Sequence, residues 1–191
     1  MAEHEIVDKK TVPMWYPMRV TYGREEAVKK YLDDDHILNF LPMHREVYAD
    51  GKGRPHQRLV PAVRNLVFIH STRNAITDMK MFRREYKPLR YMIDRTAVSP
   101  DDNILTVPDR QMENFRRVAS VEDDRVMPLE YNAEFLTKPG KRVRIIAGDF
   151  QGVEGVVKRI RKNKHVVVEL KGIAAVAIAF VPSAWLEEIA E

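Results

Sequence analysis

One glycine-punctuated stretch constrains the fold of this 191-residue chain more than any other. Between Pro139 and Val157, a basic, β-branched run (Lys141-Arg142-Val143-Arg144-Ile145-Ile146) enters a turn, and a second β-branched run follows through Val153, Val156 and Val157. Glycine accepts backbone angles that other residues resist, so Gly148, Gly152 and Gly155 predict a sharp reversal with close strand packing. Downstream, Val166, Val168 and Leu170 alternate with Val167, Glu169 and Lys171, and Val176, Ile178 and Phe180 alternate with Ala177 and Ala179. Period two with turn signals between the runs predicts a small β-barrel. An alanine-rich buried helix competes for 173–181, and the alternation of large and small residues argues for a strand there.

The preceding residues mix both periods. Met14 to Thr21 predicts a strand, with Pro17 implying an edge position or a bulge because it lacks a backbone donor. Arg24 to Leu32 predicts a helix, with Val28, Tyr31 and Leu32 on one face and Glu25–Lys29 and Glu26–Lys30 as supporting i,i+4 pairs. Ile37 to Tyr48 is extended, 49–55 is a hairpin connection, and Leu59 to His70 contains the strand core Leu66-Val67-Phe68-Ile69. A helix over Ala75 to Tyr86 would turn Ile76, Met79, Phe82 and Tyr86 inward. Leu89 to Ile93 reads as a strand. Thr106-x-x-Asp109, a capping box with Pro108 in the first turn, opens a helix to Ala119 whose Met112, Phe115 and Ala119 face the core. Mixed order with no βαβ series predicts an α+β sandwich with helices on one side of a mainly antiparallel sheet. The expected organisation is a flexible 1–13, an N-terminal domain over 14–119, a linker at 120–136 and a β-barrel over 137–191.

Composition excludes several function classes. The chain has no cysteine, which removes disulfides, zinc–thiolate sites and thiol nucleophiles and suits a reducing cytoplasm. Met1 to Lys10 has no apolar segment of a secretory leader, and the run Ile173 to Val181 is too short to span a bilayer as a helix. The histidines (4, 36, 44, 56, 70 and 165) have no metal-ligand spacing. Asp33-Asp34-Asp35 could bind a cation or end a helix in solvent, although acids at a helix C-terminus oppose the dipole. The glycines at 148, 152 and 155 precede a strand rather than a helix, so they are no phosphate loop. No residue constellation supports catalysis, and no metal or cofactor is expected.

Charge and aromatic residues mark the candidate binding surfaces. Lys/Arg and Asp/Glu balance over 1–136, and the whole surplus of +4 lies in 137–191. Lys158-Arg159-Ile160-Arg161-Lys162-Asn163-Lys164 falls at a predicted hairpin tip. It could contact phosphate or an acidic protein, or simply discourage edge-to-edge association. Trp15, Tyr16 and Met18 with Leu66, Val67 and Phe68 form either core or a hydrophobic patch. Period two sends Leu66 and Phe68 to one face and Val67 and Ile69 to the other, leaving one set to line the core and the other to meet a partner helix.

Two groups of residues resemble a known family. The stretch 139–157, with Val143, Ile145, Gly148, Phe150, Gly152, Gly155 and Val157, resembles the KOW motif of small SH3-like barrels. Trp15-Tyr16, Gly23-Arg24-Glu25-Glu26, and Pro61 followed by Leu66-Val67-Phe68-Ile69 resemble the N-terminal domain of the NusG family, and the likeness runs from about 14 to 189. That resemblance implies a non-enzymatic transcription elongation or antitermination factor that binds the clamp helices of RNA polymerase through a hydrophobic cavity and raises processivity. It implies that Trp15, Met18, Leu66 and Phe68 form or support that cavity, so Leu66→Asp or Phe68→Asp would abolish polymerase binding with the fold intact. Thr21, Tyr22 and Arg24 match a region where specialised members touch non-template DNA, and Thr77 a region that meets the far side of the channel. A contact with nascent RNA would fall to Lys158, Arg159, Arg161, Lys162 and Lys164. General members usually carry Pro-Gly-Tyr where this chain has Arg64-Asn65-Leu66. They also place an aromatic before the late barrel glycine where this chain has Lys171-Gly172-Ile173, which weakens the expectation of ribosomal-protein contact. The chain looks most like the UpxY-type specialised antiterminators of capsular polysaccharide operons, acting as a cytoplasmic monomer. A general housekeeping factor and an RNA- or ribosome-binding KOW protein are the alternatives.

Overall fold

The computed structural model describes residues 10–94, 96–97, 103–129 and 134–190. Most of the segment expected to be flexible, His4 and residues 130–133 of the expected linker lie outside the described residues. The chain divides into two compact units, Met1–Leu41 with Arg64–Asp109, and Pro42–Val63 with Arg110–Glu191. The fold is α+β, with antiparallel sheets in both.

The first unit is built on a four-stranded sheet. Its strands are β1 (Met14–Val20), β2 (Asn39–Phe40), β5 (Leu66–Ser71) and β6 (Leu89–Tyr91), in the order β2-β5-β1-β6. β1 is therefore interior, not an edge. It pairs with β5 from Met14↔Ser71 to Arg19↔Leu66, while β6 reaches only Met18 to Val20. Pro17 is tolerated because odd-numbered positions of β1 turn their polar groups toward β6. Thr21 donates its N–H to the Pro88 carbonyl, and the Trp15 carbonyl accepts from Val107. The missing N–H of Pro17 falls in the gap between those partners, where no ladder bond is lost.

Two helices complete this unit. In α1 (Glu25–Asp34) Val28 and Leu32 are buried as their spacing predicts, whereas Tyr31 is 42% exposed. Two of the three acids at the end of α1 are held by donors. Asp33 accepts from Lys29 (2.7 Å) and Asn39 (2.8 Å), and Asp35 accepts from Arg83 and the Tyr86 hydroxyl. Those donors offset the unfavourable end of the helix dipole. The second helix, α2 (Arg73–Phe82), begins at Thr72, whose hydroxyl accepts the Ala75 N–H at 3.1 Å. It is shorter than its period suggested. Arg83 is extended (φ −116°, ψ 124°), and a 3-10 turn over Arg84–Tyr86 follows. Ile76 and Tyr86 are buried, but Phe82 is 76% exposed, because the helix ends there before completing its inward stripe.

The second unit holds a two-stranded ribbon, α3 and a six-stranded sheet. The ribbon strands β3 (Met43–Ala49) and β4 (Pro55–Pro61) pair from Met43↔Pro61 to Ala49↔Pro55. Its tip is organised by Asp50, whose carboxylate accepts the N–H groups of Lys52 (2.8 Å) and Arg54 (2.9 Å). The helix α3 (Asp109–Ala119) buries Met112, Phe115, Val118 and Ala119. The large sheet contains β7 (Val126–Leu129), β8 (Arg142–Ile145), β9 (Glu154–Ile160), β10 (Asn163–Leu170), β11 (Ala174–Ala179) and β12 (Leu186–Glu188), ordered β12-β8-β9-β10-β11-β7, with a short α4 (Glu134–Thr137) after β7. All six strands pair antiparallel, which fits the expected small β domain.

One sequence expectation changes in this unit and another holds. Val126–Leu129, read as linker, is a strand, pairing from Ala175↔Leu129 to Ile178↔Val126. Val126, Met127 and Leu129 supply side chains that pack on a sheet even though the run is too short to show a period. Ala174 to Ala179 is a strand, as the alternation of large and small residues predicts over the competing helix, and every residue in it is buried. The small alanines of one face are covered as fully as the large residues of the other.

Candidate functional site

The four residues expected to form or support a docking cavity lie inside the first unit. Trp15 is 4% exposed, Leu66 3%, and Met18 and Phe68 0%. Phe68 stands opposite Pro17 in one register and Phe40 in the other, with the Phe40 ring 6.3 Å away, while the Trp15 ring lies 5.1 Å from His70. Val67 and Ile69 are buried too. Both faces of β5 are thus covered, and neither set is offered to a partner as sequence alternation suggested. Leu66→Asp or Phe68→Asp would place an unpaired carboxylate in the core, so loss of folding, not a clean loss of binding, is the expected result.

The second group is exposed and locally constrained. Thr21 turns inward, its hydroxyl donating to the Pro88 carbonyl at 3.3 Å. Tyr22 (φ 66°) and Gly23 (φ 60°) then occupy left-handed backbone, and Tyr22 projects outward, 87% exposed. The Arg24 guanidinium lies 5.9 Å from the Tyr22 ring centroid. Arg24 also borders a cavity of about 510 Å³, lined by Ala27, Val28, Tyr31, Arg84, Glu85 and Pro88. None of Trp15, Met18, Leu66 or Phe68 lines it. Tyr31 and Arg84 were not singled out from sequence. Tyr31 looked like one more core position of an amphipathic helix, and only the shortened end of α2 brings Arg84 to that cavity. Thr77 has its hydroxyl bonded to the Arg73 carbonyl (2.8 Å) and paired with the Tyr91 hydroxyl (3.0 Å).

In the second unit the basic cluster separates into one buried and four exposed cations. Lys158 is 8% exposed, and its ammonium donates to the carbonyls of Leu136 (3.1 Å) and Lys138. It is withdrawn from the candidate nucleic-acid residues, because an ammonium held by two carbonyls beneath the surface cannot reach a phosphate. Arg159, Arg161, Lys162 and Lys164 are all exposed around the turn between β9 and β10.

The glycine-rich stretch has the close packing its sequence predicts. Gly148 has φ 80°, and a Cβ there would lie 2.5 Å from the Trp185 ring. Gly155 has no unusual angle, but a Cβ there would lie 2.7 Å from the Val167 carbonyl oxygen. Val143, Ile145 and Phe150 are buried, Val157 is half-buried, and Gly152 has φ 87°. Nearby, Glu154 receives Arg144 (2.8 Å) and Arg110 (2.9 Å), and its carboxyl is held below the usual range chiefly by the Arg144 hydrogen bond. The Asn114 side chain takes the backbone of the same residue, donating to its carbonyl (2.6 Å) and accepting its N–H (3.0 Å).

Among the described residues no group of three or more His, Asp or Glu side chains could hold a metal ion. Nor is any helix long and apolar enough to cross a membrane. The arrangement offers contact surfaces, one aromatic and cationic, the other cationic.

The family described as transcription termination factor NusG matches residues 13–116. No curated protein matches the chain. Among solved structures, the chain is similar to one described as "Domain interaction in Thermotoga maritima NusG", with 21% identity, 94% of this chain and 98% of that chain covered, and a TM-score of 0.47.

Proposed function

The chain belongs to the NusG family of transcription elongation and antitermination factors, whose members bind RNA polymerase, and we propose that it is a specialised member acting on its own operon. The family consists of transcription factors rather than enzymes. The observation that carries the specialised reading is at Arg64-Asn65-Leu66, where general members usually carry Pro-Gly-Tyr. Asn65 keeps the left-handed backbone (φ 59°) that a glycine would supply, and Glu25 holds its N–H at 2.9 Å. The left-handed turn is thus made without glycine, and the aromatic hydroxyl is absent, which suits altered specificity.

In this reading residues 14–119 are the polymerase-binding domain and 137–191 a KOW domain, whose sheet also takes in β7 from the stretch between them. Trp15, Met18, Leu66 and Phe68 shape the clamp-helix face from beneath. Tyr22 and Arg24 meet exposed non-template DNA, with an aromatic ring for stacking and a guanidinium for phosphate. The factor works as a cytoplasmic monomer by differential affinity, favouring the elongating polymerase over the paused one. The UpxY-like resemblance makes a capsular polysaccharide operon the proposed target.

The test is multi-round transcription with RNA polymerase of the source organism, on templates carrying terminators behind the chain's own operon leader and behind unrelated promoters. Readthrough raised only on the first supports the specialist. Equal readthrough on all templates makes it a housekeeping factor, and no effect with no polymerase co-precipitation sinks both readings.

A further inference from the structure

Phe180 follows the last residue of β11 and breaks a local rule. Its backbone is left-handed (φ 57°), a conformation that suits glycine or asparagine and that a bulky residue rarely takes. No burial of the ring offsets this, for Phe180 is 79% exposed. The Ala179 N–H donates to the Arg125 carbonyl at 2.8 Å, so the strand is tied off immediately before the strained residue. Beyond it Val181 is half-buried, and Pro182 and Ala184 are exposed. A strained aromatic residue that adds little to the core is expected to serve a contact outside it.

The strand register sets this ring among cations. Ala179 stands opposite His165, so a continued ladder would place Phe180 opposite Lys164, and Lys164 itself faces Arg159. Arg161 and Lys162 close the turn between β9 and β10, and both have positive φ (47° and 72°). Arg159, Arg161, Lys162 and Lys164 are exposed, and among the described residues none of them has an ion-pair partner. Antiparallel pairing puts the β9–β10 turn and the exit of β11 at one end of the sheet. The β8–β9 and β10–β11 connections, the second of which holds Gly172, lie at the other.

The surroundings of Phe180 fit a protein partner better than a nucleic acid. Single strands are held on rings that stack successive bases. Among the described strands and turns of this sheet the remaining rings do not extend such a platform. His165 is 6% exposed and Phe150 5%, and Trp185 packs on Gly148 at the far end. Phe180 is instead followed by the aliphatic surface of Val181, Pro182 and Ala184, with the cations outside it. An apolar anchor within a charged rim is the anatomy of a protein contact, and cations without carboxylates select an acidic partner.

We propose that Phe180 anchors an acidic segment of a partner protein that carries apolar side chains, with Arg159, Arg161, Lys162 and Lys164 as the rim. This face lies at the opposite end of the sheet from Lys171-Gly172-Ile173, and the contact needs no polymerase.

The test compares the full chain with two variants whose new residues suit left-handed backbone, F180N and R161N/K162G. Binding of a fluorescein-labelled peptide of repeating Glu-Glu-Leu is followed by anisotropy across a salt series. The parent is expected to saturate with a Kd below about 1 mM. F180N should bind at least about tenfold more weakly with its salt dependence retained, and R161N/K162G more weakly with a flatter salt dependence. Neither variant should melt below the parent. No saturable binding by the parent overturns the proposal, as does parental affinity in F180N, a lower melting point of F180N, or polyglutamate bound as tightly as the mixed peptide. Tighter binding of the parent to oligothymidylate or to anionic lipid vesicles overturns the choice of partner, as does a parent dimer that F180N abolishes. Readthrough by polymerase is measured on the same proteins. Peptide binding without any polymerase effect defeats the transcription reading alone, and a polymerase effect without peptide binding defeats this proposal alone.

Discussion

The carboxylate of Glu25, at the start of α1, accepts the backbone N–H of Asn65 at 2.9 Å, 40 positions along the chain. The Asn65 carbonyl in turn accepts from Val20 at 2.9 Å. Two bonds therefore fix a left-handed residue immediately before β5, and through it the entry of the central pair of strands. Glu25 itself is 6% exposed, and its second oxygen has no partner among the described residues. Glu25→Ala should lower unfolding stability by about 1–2 kcal/mol, since a bond to a charged acceptor is lost. Glu25→Gln, which keeps the acceptor, should stay within about 0.5 kcal/mol of the parent. Chemical denaturation of both variants checks this. Equal losses would mean that the carboxylate charge, not the bond to Asn65, supports the turn.

Lys158 should behave as a structural residue. Its ammonium bonds the carbonyls of Leu136 and Lys138, at and just beyond the last turn of α4. Lys158→Met keeps the aliphatic stem but leaves those carbonyls unpaired, so a loss of about 1–3 kcal/mol is expected, with nucleic-acid affinity unchanged. Weaker nucleic-acid binding at unchanged stability would restore it to the contact surface.

Acid should weaken the first unit through Asp35. The hydrogen bond from the Tyr86 hydroxyl, and then the one from Arg83, hold the Asp35 carboxyl below its ordinary range. Burial, followed by the bond to Asp35, raises the Tyr86 hydroxyl. A carboxyl depressed in the folded state contributes stability that is present above its unfolded pKa, about 3.9, and is lost as pH falls through the folded value. Asp35→Asn should therefore melt lower than the parent at pH 7, and the gap should close below about pH 4. Thermal melts at pH 7, 5 and 3 test this, and a gap that is constant with pH would exclude the titration.

Gly155→Ala should be among the most damaging single-methyl additions to the second unit. The added carbon would sit 2.7 Å from the Val167 carbonyl oxygen and 2.8 Å from the Val166 side chain, and strand backbone cannot retreat without unpairing. A cost of about 1–3 kcal/mol follows from overpacking. A melting point within 1 °C of the parent would show that the sheet has slack there.

The elements that were legible in the sequence are those whose period is carried by several residues. β10 and β11 alternate strictly, Met112, Phe115 and Ala119 repeat at helical spacing, and Gly148 and Gly155 mark a turn and a close approach. What escaped was set by contacts remote in sequence. Pro17 looked like an edge signal, yet its missing donor falls between two partners of an interior strand. Phe82 looked inward-facing until α2 ended at that residue. Leu66 and Phe68 were read as alternating with an exposed set, but burial on both faces depends on what packs there, which a strand's own sequence does not record. Lys158 was indistinguishable from its basic neighbours because the carbonyls it holds lie about 20 positions upstream.

The pairing of Val126–Leu129 with Ala175–Ile178 has a practical consequence. A fragment begun at Thr137 would strip away that outer strand and bare the amides of an alanine- and valine-rich ribbon, an open template for self-association. Any excised version of the C-terminal sheet meant to stay monodisperse therefore has to begin upstream of Val126.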